Sequence, residues 1–112
     1  MHFSAFSLLP FLALADVALS ICPGSKYGIS NVEAGSGFNR WTVYDNSCTK
    51  VDSLTLPPRD DPCTTGGIFG CSPASTTFNK YMPKGSTGPT YTCRPDTNSG
   101  TCGSSVISVC CH

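Results

Sequence analysis

The residues of this 112-residue chain able to do chemistry are eight cysteines, two histidines, seven acidic side chains and four tyrosines. The cysteines are Cys22, Cys48, Cys63, Cys71, Cys93, Cys102, Cys110 and Cys111, separated by 25, 14, 7, 21, 8, 7 and 0 residues. Structural zinc sites are built from ligands paired at short spacing, and no Cys-x-x-Cys pair occurs here. All eight follow a short apolar N-terminal segment. An even number of cysteines in an exported chain predicts a disulfide framework rather than thiolate chemistry. The adjacent pair Cys110-Cys111 adds a constraint. Successive side chains of a strand point to opposite faces, and a bond between neighbouring cysteines would need a strained ring far from ordinary disulfide geometry. The two must reach different partners, which leaves about 90 of the 105 possible connectivities and makes the terminal strand the expected hub.

Histidine chemistry has little to work with. His2 lies in the N-terminal segment, and His112 is the last residue of the sequence. A chain end is expected to fray, which suits neither a metal ligand nor a general base. The acids beyond the leader are Glu33, Asp45, Asp52, Asp60, Asp61 and Asp96. A glycosidase needs two carboxyls facing each other across a cleft, and nothing in this spacing picks out such a pair. Asp60-Asp61 sits among prolines without a calcium-binding loop around it, and reads as a solvated turn. The sequence therefore predicts a protein that is not an enzyme, with no cofactor and no metal. Trp41 and the tyrosines could stack on sugar rings. Trp41 is expected in the core, which leaves Tyr44 and Tyr81 as the candidate sugar-stacking residues.

The elements that must position these groups are short. Lys26–Ser30 is a candidate strand, and 31–37 is expected to be loop. Phe38–Tyr44 alternates, with Trp41 and Val43 on one face and Phe38, Arg40, Thr42 and Tyr44 on the other. Asp45-Asn46-Ser47 is turn chemistry, because Asp and Asn side chains bond to nearby backbone groups. A three-residue loop would pair Tyr44 with Cys48, place Trp41 opposite Val51, and set Arg40 against Asp52. Three prolines between Pro57 and Pro62 exclude regular structure, and Cys63–Cys71 brackets a small loop. Ser72-Pro73 can open a helix of one or two turns, with Ser as N-cap and Pro at the first helical position, before Pro83 stops it. Lys84–Pro89 is expected to be loop. Thr90–Cys93 and Ser105–Cys111 read as strands, joined by a polar connection that Cys102 ties down.

Phe3–Ala15 forms an apolar run of roughly 13 residues, too short for a membrane span of about 20 but suited to a secretory signal peptide. Cleavage before Asp16 follows the Ala13-Leu14-Ala15 pattern. Cleavage before Ile21 follows Ala18-Leu19-Ser20, and it is slightly favoured because it brings Cys22 close to the new terminus. The expected organisation is a signal peptide over 1–20 and one disulfide-stapled secreted domain over 21–112. The sequence carries seven basic and seven acidic residues, one of the acids being Asp16. Near-neutral charge without a basic run disfavours nucleic acid and anionic membranes. No apolar tail is present to carry a lipid anchor, and a monomer is the default.

The leader, the eight cysteines, the loops rich in Gly, Pro, Ser and Thr, and the closing Val-Ile-Ser-Val-Cys-Cys together resemble the small cysteine-rich proteins secreted by filamentous fungi, effector candidates among them. The resemblance spans the whole chain and carries no functional residue with it. Hydrophobins have two cysteine doublets, neither terminal, and long apolar stretches. This chain has one doublet, at its end. Eight-cysteine defensins close on Cys-x-Cys, which is absent. The expected fold is a small, disulfide-rich, mainly β domain, an antiparallel sheet with long stapled loops, or α+β if the short helix forms. The expected role is a non-catalytic extracellular interaction protein of effector or toxin-like kind, whose partner is an extracellular protein or a cell-wall glycan. A carbohydrate-binding module is the alternative, and a small secreted hydrolase the third reading.

Overall fold

The computed structural model describes residues 20–72, 77–96 and 100–112. The signal-peptide assignment, apart from Ser20, lies outside the described residues, as does most of the helix expected from Ser72-Pro73. Half of the described residues are strand, and the sheet curls into a half-barrel. The strands are β1 (Tyr27–Ser30), β2 (Glu33–Gly35), β3 (Phe38–Asp45), β4 (Lys50–Leu56), β5 (Phe69–Cys71), β6 (Phe78–Tyr81), β7 (Tyr91–Pro95), β8 (Thr101–Cys102) and β9 (Ser105–Cys111). All pairings among them are antiparallel. The expected mainly β, disulfide-rich fold is thus what forms. Residues 78–81, within reach of the expected helix, are instead strand, and Ser72 N–H donates to the Thr77 carbonyl (3.1 Å). A single 3-10 turn occupies Gly85–Thr87, where only loop was expected.

β3 organises one half of the sheet. Its first residues pair with β2 and its last with β1, while β4 runs along its other edge. The β2–β3 hairpin arises in the stretch expected to be loop. A two-residue connection, Ser36-Gly37, suffices because Gly37 takes φ +83°, a conformation that costs other residues dearly. The three residues of β2 are all exposed, so no apolar alternation announces the strand.

The β3–β4 register differs from the expected one. Trp41 faces Leu54 and Arg40 faces Thr55, instead of Val51 and Asp52. The loop is indeed three residues, but it begins one position later. Asp45 N–H donates to the Thr49 carbonyl, and the Asp45 carboxylate accepts the N–H groups of Ser47 and Thr49. Cys48 takes φ +62°, the left-handed position that closes three-residue hairpin loops. A bulge at Val51 then adds one more residue to the offset and leaves Val51 exposed.

β9 is the hub the terminal doublet predicts, pairing with β1, β7 and β8. It too carries a bulge. Ile29 faces Val109 but Ser30 faces Ile107, so Ser108 is the extra residue, and its hydroxyl bonds to the Ile29 carbonyl (3.3 Å). A bulge inverts the facing of everything beyond it. Val109 and Cys111 therefore line the concave core with Ile29, Trp41, Val43, Phe69, Phe78 and Tyr81. Ile107 instead joins Cys110, Cys22, Cys102 and Ile21 in a smaller cluster on the convex side. Gly28 permits that cluster, because a Cβ there would stand 2.8 Å from Ile107 Cγ2 and 2.9 Å from Ile21 Cδ1.

The four disulfides are Cys22–Cys110, Cys48–Cys102, Cys63–Cys71 and Cys93–Cys111. Cys110 and Cys111 send their bonds to opposite faces. Cys93 and Cys111 lie directly opposite each other in the β7–β9 ladder, 4.0 Å apart at Cα. The neighbouring pair Thr92 and His112 exchanges two backbone hydrogen bonds, which makes the cysteine pair one of the closer, non-hydrogen-bonded sites of an antiparallel ladder.

Candidate functional site at the mouth of the half-barrel

Curling brings β6 over β3 and β4, and aromatic rings fill the concave side. Trp41 meets Phe78 edge-on at 6.3 Å, and Phe78 stacks on Phe69 at 4.4 Å. The series continues through Tyr81 to Tyr27 and Tyr91. Tyr81 is 2% exposed, and its hydroxyl donates to Asp52 Oδ2 at 2.8 Å. Burial, and next the bond to Asp52, push its phenol well above the usual tyrosine range. Tyr27 is raised as well, chiefly by its hydrogen bond with Tyr91. Lys26 lies over the Tyr91 ring, 5.8 Å from its centre.

This placement overturns one expectation. Tyr81 offers no free ring face for a sugar, because the sheet's curl turns it into the core. Tyr44 is half-buried. It packs against the convex cluster, and its hydroxyl donates to Ser105 Oγ at 3.2 Å. The two tyrosines therefore form no common platform. Trp41 is core, as expected, though its partner is Leu54 rather than Val51.

Five of the six carboxylates among the described residues, all but Asp60, are engaged with their own chain. Glu33 accepts the Thr42 hydroxyl, Asp45 caps its turn, Asp61 accepts Cys63 N–H and Asp96 accepts Gly100 N–H. Asp52 accepts both the Tyr81 hydroxyl and, at 2.9 Å, the N–H of Ser53. Among the described residues, no three of His, Cys, Asp and Glu converge as metal ligands. His112 is not frayed, since its backbone pairs with Thr92. Its exposed side chain borders a cavity of about 340 Å³ together with Arg94, Asp96 and the Pro23-Gly24 turn.

The larger cavity, about 540 Å³, opens at the end of the concave core. Its floor is Trp41, Phe78 and Val109. Val32, Pro62 and Pro95 stand at its sides, with Ser30, Asn31, Asp61, Thr77 and Ser108 as polar points. Val32 is 49% exposed. The volume lies within the range of small-ligand clefts, and apolar walls with few polar groups are their usual lining. The elements that form it explain why the sequence hides it. β1 and its exit supply three residues, β3, β6 and β7 one each and β9 two, and the bulge at Ser108 sets which of the β9 residues face inward. No local pattern joins these positions. Only the isolated apolar Val32, within a polar stretch, could have hinted at it.

Comparison with protein-family models, with curated proteins and with solved structures finds no match to the chain. Among the described residues, no helix is long and apolar enough to cross a membrane.

Proposed function

We propose that this chain is a secreted, non-catalytic interaction protein of effector or toxin-like kind, which holds its partner at the mouth of the half-barrel. The observation that carries this reading is the apolar cleft of about 540 Å³, floored by Trp41 and Phe78 and flanked by exposed Val32, on a frame closed by four disulfides. Preorganised clefts limit the entropy lost on binding, and the disulfide frame supplies that rigidity. Four disulfides are typical of extracellular proteins. Five of the six described carboxylates support the same reading, because Glu33, Asp45, Asp52, Asp61 and Asp96 each spend an oxygen on a turn, an edge or a hydroxyl.

Val32→Asp places a charge at the cleft without touching a strand. Oxidised protein and this variant are presented to immobilised extracellular proteins, with insoluble chitin and glucan in parallel. Binding to a protein that drops at least tenfold (about 1.4 kcal/mol) in Val32→Asp, with the four disulfides intact, is the expected result. Binding to a protein that Val32→Asp leaves unchanged would remove the cleft from the reading. Retention on glycan that Tyr44→Ala abolishes would replace the interaction protein with a carbohydrate-binding module. Hydrolytic activity lost on changing one carboxylate, with the fold intact, would make the chain an enzyme.

A further inference from the structure

The four disulfides differ in how they meet solvent. Cys93–Cys111 and Cys22–Cys110 have both ends buried, with no cysteine of either pair more than 8% exposed. Cys63 and Cys71 are half-buried and pack against the main core. Cys48 alone is exposed, while its partner Cys102 is 7% exposed. Cys48 is also the one non-glycine residue with positive φ among the described residues, at +62°. Its turn is held by the Asp45 carboxylate and by a bond from Cys48 N–H to the Asp45 carbonyl. An ordinary residue in that conformation is strained. Strained or exposed disulfides are the labile ones, and the sulfur attacked is the one a thiolate can reach.

We propose that Cys48–Cys102 is a thiol-exchange site, at which a low-molecular-weight thiol attacks Cys48 Sγ. The incoming thiolate forms a bond to Cys48 Sγ as the S–S bond breaks, and the electron pair leaves on Cys102 as thiolate, which takes up a proton. A second thiol can attack the mixed disulfide and release Cys48. In sum, one cystine is reduced to two thiols and two small thiols are oxidised to one disulfide. The change stays local. The Tyr44 hydroxyl still holds Ser105, and Ile107 still packs with Ile21 and the Cys22–Cys110 pair. What loosens is β8, two residues paired only to β9.

The test uses the oxidised, folded protein and reduced glutathione in the absence of denaturant. Samples are quenched at intervals with an alkylating agent and mapped by mass spectrometry of peptides. Glutathione should appear on Cys48, and alkylation at Cys48 and Cys102 should precede that at Cys63 and Cys71 by about tenfold in rate. Amide exchange should rise at Thr101 and Cys102 in the same samples. Earlier modification of Cys63–Cys71, glutathione on Cys102 instead of Cys48, or loss of all four disulfides in one step would each overturn the proposal. In a Cys48→Ser/Cys102→Ser variant, glutathione uptake at the same dose should fall to background; undiminished uptake would equally overturn it. The mapping on the wild-type protein stands even if that variant does not fold.

Discussion

Asp52 joins the two flanks of the half-barrel with one carboxylate. Oδ1 accepts Ser53 N–H on β4, and Oδ2 accepts the Tyr81 hydroxyl from β6. Thr42 N–H, opposite Ser53, points to Ser30 Oγ on the other side of β3, so Ser53 N–H faces the open edge of the sheet. The carboxylate thus satisfies an edge donor that would otherwise invite another strand. An asparagine can keep Ser53 N–H on its oxygen only if the Tyr81 hydroxyl turns to accept from its amide, which exchanges a charge-assisted bond for a weaker neutral one. Asp52→Asn should cost about 1–2 kcal/mol, and Tyr81→Phe about 1 kcal/mol. Urea unfolding of both single variants and the double variant measures the coupling; additive losses would show that the bond contributes nothing. Tyr81 also predicts alkaline behaviour. Its folded pKa is raised from 10.0, so its contribution is complete while pH stays below that value. At higher pH the unfolded phenol ionises while the folded one keeps its proton, and stability falls. The difference in unfolding midpoint between wild type and Tyr81→Phe should accordingly shrink as pH rises from about 9 to about 11. A constant difference would disprove the linkage. None of this was legible in Phe78-Asn79-Lys80-Tyr81. Tyr81 is buried by Tyr27, Tyr91 and Asp52, which arrive from distant segments.

Strands were readable where side chains alternate and unreadable where a bulge intervenes. β3 shows its two faces in Phe38–Tyr44, and β9 shows its apolar run. Turn chemistry at Asp45-Asn46-Ser47 located the hairpin, but its register depended on Cys48 accepting a conformation usually left to glycine or asparagine. Cysteine is no residue from which that conformation would be read; the three-residue loop capped by Asp45 sets it. The Val51 and Ser108 bulges were equally silent, and the second decides which residues floor the cleft. β1 carries the consequence on its convex side. Gly28 reads as a weak strand residue, yet the convex cluster occupies the space a Cβ would need. Gly28→Ala should therefore lose about 1–3 kcal/mol as Ile107 and Ile21 are pushed aside, although alanine has the better intrinsic strand preference. A neutral or stabilising effect on the urea midpoint would show that the cluster yields freely.

Across the whole molecule, the disulfides stabilise chiefly by what they deny the unfolded chain, and the network decides how much each denies. Cys22–Cys110 spans 88 residues and Cys63–Cys71 spans 8. Taken singly, the chain-entropy relation gives about 4.6 kcal/mol for the first and about 2.5 kcal/mol for the second. The long loop is not so long once the others are closed. With Cys48–Cys102 in place, the unfolded chain already connects Cys22 to Cys110 through the 22–48 and 102–110 segments, a path of about 34 residues worth about 3.8 kcal/mol. No other bond shortens the 63–71 loop. Removing each pair as a double alanine variant should thus separate the two by about 1 kcal/mol rather than about 2 kcal/mol. Urea unfolding under non-reducing conditions measures both losses on the same scale. A gap near 2 kcal/mol would mean that the cross-links act independently. A larger loss for Cys63–Cys71 would mean that its packing against the main core, rather than loop closure, sets its contribution.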